Sequence, residues 1–272
     1  MSHRTLEELN EHLQDRDHAI LNDLERFRLL TSRQIQRLHF HDGHQTTSAA
    51  ARASTRVLTR LAGHGLIAHL ERRIGGVRRG SAGFIWHLGP SGERLLRKLK
   101  GLPARRRYVE PSARFVSHTI GIAELALQLI EADRLHLLGL LSVETEPSTW
   151  RTHLSPHGAT EWLKPDLYLV TAAGPFEDHW FIEYDQATEH LPVVLRQCQA
   201  YQRHFVSGRH QAAHGLFPAV LWVTTNPARA DAITRAIATD KTLNPDLFHV
   251  TTTERFLGWI AAGPPVGAPT EP

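Results

Sequence analysis

The chain has 272 residues, 41% of them hydrophobic and 22% charged, with a formal net charge of +3. That is enough apolar material for two modest cores and too much for wholesale disorder. One cysteine, Cys198, excludes an intrachain disulfide and fits a reducing cytoplasm; the polar start, Met1 to Asn10, has no signal-peptide core, and no apolar run reads as a membrane span.

The charge is unevenly spread. Residues 1–110 hold 20 Lys and Arg against 11 Asp and Glu, a balance of +9, whereas residues 111–272 hold 11 against 17, a balance of −6. Between Gly43 and Arg107 there are 14 basic residues and only two acids, Glu71 and Glu93. A field of that kind suits a phosphate-rich partner.

In chain order, Asp15 to Leu30 carries an apolar stripe of Ile20, Leu21, Leu24, Phe27 and Leu30, which predicts a helix. Thr31-Ser32-Arg33-Gln34 has the capping-box spelling, with Ile35 and Leu38 on one face of the helix it opens. Thr46 or Thr47 caps an Ala-rich helix reaching about Ala62, in which Arg52, Arg56 and Arg60 recur every fourth residue and form one exposed row. Leu66–Leu70 and Phe84–Leu88 read as two strands whose connection holds Arg72, Arg73, Arg78 and Arg79 among glycines. Gly89-Pro90-Ser91-Gly92 then opens another helix. This succession resembles a winged helix-turn-helix domain, here residues 15–100. The resemblance implies that the third helix enters a major groove while the arginines at 52, 56, 60, 72, 73, 78 and 79 contact double-stranded DNA. It also implies a homodimer where the DNA target is a palindrome.

Pro103 and three consecutive arginines mark residues 101–111 as a basic linker. Phe115–Ala132 reads as an apolar helix containing Glu124, and Leu135–Val143 as a strand ended by Glu144 and Glu146. Lys164-Pro165-Asp166 leads into the apolar run Leu167–Val170; after a Gly174-Pro175 turn, Trp180-Phe181-Ile182 leads into Glu183-Tyr184-Asp185. Side chains two apart in a strand share a face, so Glu183 and Asp185 do, and a hairpin brings Asp166 beside them. Carboxylates crowded between apolar strands are costly without a cation, and hard oxygen donors suit Mg²⁺ or Mn²⁺. A helix over Leu191–Phe205, a strand over Ala219–Thr224, a helix over Ala228–Thr239, a strand over Leu247–Thr251 and a helix over Thr253–Ala261 follow, then a loose tail at 263–272.

Asp166 after a proline, Glu183-x-Asp185, and Gln197 four residues before Tyr201 resemble the PD-(D/E)XK nuclease superfamily across about residues 112–262. The resemblance implies an α/β domain with a mixed sheet flanked by helices, and a catalytic set of Asp166, Glu183, Asp185, Arg196, Gln197 and Tyr201 with Asp166 and Glu183 as metal ligands. It departs at one point: Asp185 stands where that superfamily keeps lysine. Arg196 is the nearest basic substitute, yet arginine stays protonated and is a poor general base.

As a whole, through Leu29–Ile35, Arg72–Gly76, Trp86–Gly89 and Phe181–Glu189, the chain resembles the replication-relaxation family of plasmids and other mobile elements. That implies replication, DNA relaxation or transfer. It leaves two chemistries open: metal-dependent nicking, or transcriptional or copy-number regulation with a catalytically dead nuclease-like domain. His39-Phe40-His41 has the spelling of a relaxase metal motif but closes a helix. His204, His210 and His214 lack an acid or cysteine to complete a zinc site. No Gly-x-Ser-x-Gly elbow or Gly-x-x-x-x-Gly-Lys phosphate loop occurs.

Overall fold

A computed structural model describes residues 6–70, 83–103, 112–155 and 157–264. The chain divides into two compact units, Met1–Glu124 and Leu125–Pro272. The division falls some way past the expected linker, of which 104–111 lie outside the described residues.

The first unit opens with α1 (Leu6–Glu11) and α2 (Asp15–Phe27), followed by β1 (Leu30–Thr31), α3 (Ser32–His39) and α4 (Thr47–Gly63). Helix α2 buries Ile20, Leu21, Leu24 and Phe27 as the stripe predicts. It stops before Leu30, however, because Arg28 turns to a φ of 64°, and Leu30 pairs with Trp86 as a short strand. The capping box forms: Gln34 N donates to Thr31 Oγ1 at 3.1 Å and Thr31 N donates to Gln34 Oε1 at 3.0 Å. Thr46 caps α4, accepting from Ala49 N at 3.1 Å, and Ala50, Ala53, Leu58 and Leu61 face inward.

Strands β2 (Ile67–His69) and β3 (Ile85–Leu88) complete a three-stranded antiparallel sheet in the order β1-β3-β2. Helix α5 (Pro90–Leu99) follows at once. Its first turn lies against the backbone at Gly65 and Leu66, which explains two glycines. A β-carbon on Gly89 would sit 2.4 Å from the Gly65 carbonyl oxygen, and one on Gly92 would sit 2.0 Å from that of Leu66. The tip expected to carry Arg72, Arg73, Arg78 and Arg79 lies outside the described residues. Buried Leu29, Leu70, Ile85 and Val116 form a small cluster with Ile120 packed on it. Val116 and Ile120 thus give the start of α6 (Ala113–Arg134) to the first unit. Contrary to the sequence reading, α6 is long and apolar enough by length and composition to cross a membrane; its Leu125, Ala126, Leu127 and Leu129 are nevertheless buried as core.

The second unit continues through β4 (Gly139–Thr145), β5 (Arg151–Leu154), β6 (Thr160–Leu163), β7 (Leu167–Ala173), β8 (Phe176–Asp185), α7 (Leu191–Val206), α8 (Arg209–His214), β9 (Ala219–Thr224), α9 (Pro227–Thr239), β10 (Phe248–Thr252) and α10 (Phe256–Ala262). The five-stranded sheet has the order β10-β9-β8-β7-β4. Strands β4, β7 and β8 meander antiparallel, whereas β8, β9 and β10 run parallel through helical crossovers. The fold is therefore mixed α/β, with a mixed sheet, as expected. The expected element order holds, with two additions: the separate hairpin β5–β6 and the short helix α8.

Every residue of β9 is buried, the mark of a central strand covered on both faces. One face of the sheet presents Tyr168, Val170, Phe181, Val220, Trp222 and Phe248 to Val194, Cys198, Tyr201 and Phe205 of α7 and to Ile233 and Ile237 of α9. The alternate residues Leu167, Leu169, Trp180, Ile182, Leu221 and Val223 are buried as well, pointing the opposite way.

Candidate functional site

The acidic hairpin brings Asp166 and Glu183 together. Leu167 pairs with Ile182, so Asp166, one residue earlier, stands opposite Glu183. Asp166 Oδ2 accepts a hydrogen bond from Tyr184 N at 2.8 Å. Glu183 shares its strand face with Phe181 and points toward α7. There Gln197 Nε2 donates to Glu183 Oε2 at 2.6 Å and Tyr201 OH donates to Oε1 at 2.5 Å. Gln197 and Tyr201 are four apart on one helical face, so both reach the same carboxyl group. Glu183 and Tyr201 are fully enclosed, at 3% and 0% exposure. Burial holds the Glu183 carboxyl well above the usual carboxylate range, and the negative charges of Asp166 and Glu146 add to that. Burial also lifts the Tyr201 phenol, with Glu183 contributing.

Glu146, just past β4, enters this cluster without having been named as a site residue. Its Oε1 accepts from Trp150 Nε1 at 3.0 Å. The signal available in the sequence was an acid ending the strand that pairs with β7. Glu124, considered as a fourth carboxylate, belongs elsewhere: in the first unit it meets Arg37 at 2.5 Å and Gln34 Nε2 at 3.1 Å.

Asp185 shares the Glu183 face but is claimed by a residue that spacing could not reveal. Arg229, in the first turn of α9, donates Nε to Asp185 Oδ2 at 2.6 Å and a terminal nitrogen to Oδ1 at 3.3 Å. A terminal nitrogen also donates to the Glu189 carbonyl at 2.8 Å. Arg196, the expected basic substitute, is instead exposed on α7. The position where lysine was expected thus carries a buried carboxylate, 4% exposed, whose charge is met by Arg229 from α9.

Mg²⁺ or Mn²⁺ at this cluster would need several of its oxygens at once. Both oxygens of Glu183 and both of Asp185 accept hydrogen bonds, and Asp166 Oδ2 is occupied by backbone. Among the described residues no group of three or more His, Cys, Asp or Glu side chains could hold a metal ion.

On the first unit, Arg52 and Arg56 are exposed on α4 as expected. Arg60 is not a free member of the row, because it meets Asp17, 1% exposed, at 2.6 Å. The repeat of four shows a shared helix face but not what lies across it. His39 pairs with Asp23 at 3.0 Å at the end of α3, a structural contact.

The second unit also gathers histidines. His153 Nδ1 lies 3.3 Å from His204 Nδ1, and the His210 ring packs on those of His204 and His214. Burial pushes His204 down to about 4 and His210 to about 3, with neighbouring histidines and arginines adding to the effect.

The molecule is thus a two-unit α/β protein with an exposed cationic helix in one unit and an internally satisfied carboxylate cluster in the other. The model of the replication-relaxation family matches residues 21–220, and the chain belongs to that family. The match runs from α2 into β9 and includes Asp166, Glu183, Gln197 and Tyr201. Membership points to a role in the replication or relaxation of a plasmid or other mobile element. Neither the curated proteins nor the solved structures offer a match to the chain.

Proposed function

We propose that this protein binds double-stranded DNA of a plasmid or mobile element, and that its nuclease-like unit serves as a binding and assembly module rather than a nickase. The first unit acts as a winged helix-turn-helix, with α4 as the groove-reading helix and Arg52 and Arg56 as its DNA contacts. What supports this is the helix order, the caps at Thr31 and Thr46, and the +9 balance of residues 1–110. The observation that carries the non-cleaving reading is the capture of Asp185 by Arg229. No amine is thereby left at the position where a nuclease of this kind keeps its lysine. Gln197 and Tyr201 then act as a clasp on Glu183 that fixes α7 to β8.

The test is duplex binding by the full chain as a function of salt. Neutralising several phosphates gives a steep fall of log affinity with log salt, and a flat slope would count against the DNA reading. A second reading, metal-dependent nicking, draws on the placement of Asp166 opposite Glu183. Incubating supercoiled plasmid with the protein and millimolar Mg²⁺ or Mn²⁺ decides between them. Multiple-turnover nicking that Glu183→Ala removes would make this an enzyme.

A further inference from the structure

The hairpin β5–β6 lies outside the main sheet and was not anticipated by the sequence reading. Its pairing, Arg151 with Leu163, Thr152 with Trp162, His153 with Glu161 and Leu154 with Thr160, sorts its side chains into two faces. The inward face holds buried Leu163 and His153, beside α7. The outward face holds Trp162 and Leu154, 55% and 60% exposed. Trp162 and Leu154 share one face, with Trp150 beside Trp162, so this is an apolar patch rather than a single exposed side chain.

Trp162 is also held in place. Its ring stands edge-on to Trp150 with centroids 5.8 Å apart and an interplanar angle of 79°. Trp150 is fixed in turn by its hydrogen bond to Glu146 and by Lys164, whose Nζ lies 4.3 Å from the ring centroid. One cation, Lys164, touches this pair, and the neighbouring arginines go with the inward face. Arg151 lies over the Tyr168 ring at 5.0 Å, and Arg203 bridges to Glu161 at 2.7 Å. Arg209 is near enough to act on both His153 and His204. Arg196 lies two turns before Arg203 on α7, about 10 Å along the same stripe. Of the acids alongside, Glu161 and Glu144 each already carry an arginine, at 2.7 Å and 3.3 Å, and Glu146 accepts from Trp150 Nε1 at 3.0 Å. Lys164 and Arg196 meet no carboxylate among the described residues.

We propose that the outward face of this hairpin is a stacking platform for an unpaired strand of DNA, with Trp162 receiving a base and Lys164 meeting a phosphate. Stacking of a base on an aromatic face, helped by a neighbouring cation, is how proteins hold single strands without reading sequence. A second copy of this chain is a poorer occupant, because closing an apolar interface over Lys164 would desolvate a charge that has no acidic partner. The strand carrying Trp162 runs through Lys164 and Pro165 directly into Asp166, so the platform adjoins the carboxylate cluster. This inference rests on the reading of the chain as a DNA-binding protein and adds a second form of DNA to it.

The experiment titrates the full chain with a short oligothymidylate and, separately, with a duplex of the same length. It compares wild type, Trp162→Ala, Trp162→Phe and Arg56→Ala, with thermal melts as a control. Trp162→Ala is expected to lose roughly 5- to 150-fold in single-strand affinity with duplex affinity and melting temperature unchanged. Trp162→Phe should retain most of the affinity, and Arg56→Ala should weaken only the duplex. Equal single-strand affinity in Trp162→Ala, equal losses on both DNAs, or loss of a self-associated form with no change in oligonucleotide binding would each overturn the platform. Wild type that binds the single strand through Trp162 but ignores duplex would overturn the groove-reading role of α4 and leave the platform standing. Wild type that binds neither DNA would overturn both.

Discussion

The two units manage charge in opposite ways. In the first, Arg52 and Arg56 point into solvent from α4, and their counter-ions must come from elsewhere. In the second, the buried acids find their partners inside the fold: Glu183 with Gln197 and Tyr201, Asp185 with Arg229. Arg60 is the exception that clarifies the rule, a member of the exposed row diverted to the buried Asp17. Charge left open at a surface is available for recognition. Charge closed up in a core goes into holding elements together.

The strongest test of that contrast is Arg229→Ala. It leaves Asp185 buried with no cation, which should cost about 3–5 kcal/mol of stability, read in urea unfolding. The double variant Asp185→Asn/Arg229→Ala should regain much of the loss. If Arg229→Ala were neutral, the view of Asp185 as a sealed ion pair would fail.

Acid titration tests the buried histidines. His204 is held at about 4 against an ordinary 6.5, so between those values the unfolded chain binds more protons than the folded one. Its contribution is therefore fully present above pH 6.5 and is lost as pH falls toward 4. The size is about 3 kcal/mol from this residue alone. Glu183 works in the other direction. Because its carboxyl is held high, the folded state keeps a proton that the unfolded chain releases, and stability falls as pH rises above the ordinary carboxylate value of 4.5. Unfolding free energies measured across acid to neutral pH, for wild type and His204→Phe, should show the acid-side slope flatten in the variant.

Within α4, Arg60→Ala and Arg56→Ala should separate two roles on one helix face. Arg60→Ala strips the partner from a buried carboxylate and should destabilise by about 2 kcal/mol. Arg56→Ala should leave the unfolding midpoint unchanged within about 0.5 kcal/mol. It should weaken duplex binding by about 1–3 kcal/mol if the side chain meets a base edge and by less if it meets a phosphate. The opposite assignment of effects would undo the distinction between an open and a closed cation.

The parts legible in advance share a physical basis. The stripe of α2, the Thr31 capping box, the Thr46 cap and the alternation that sets Glu183 and Asp185 on one face are all local, fixed by periods and caps a few residues long. The proximity of Asp166 to Glu183 was readable because a short turn joins their strands. Hairpin β5–β6 was missed because its strands are only four residues each and their alternation is brief.

By itself, then, the sequence determined the family, the mixed α/β class, the uneven charge and the group of Asp166, Glu183, Gln197 and Tyr201. Only the tertiary structure decided what those charges do. Asp185 and Arg229 are 44 residues apart, as are Asp17 and Arg60 within one residue, at 43. Partners so far apart meet through the packing of whole elements, and no local spacing encodes that. The same holds for Glu146 joining the cluster and for Trp162 standing exposed beside Lys164. Sequence period tells which face a side chain is on, whereas packing decides what that face meets.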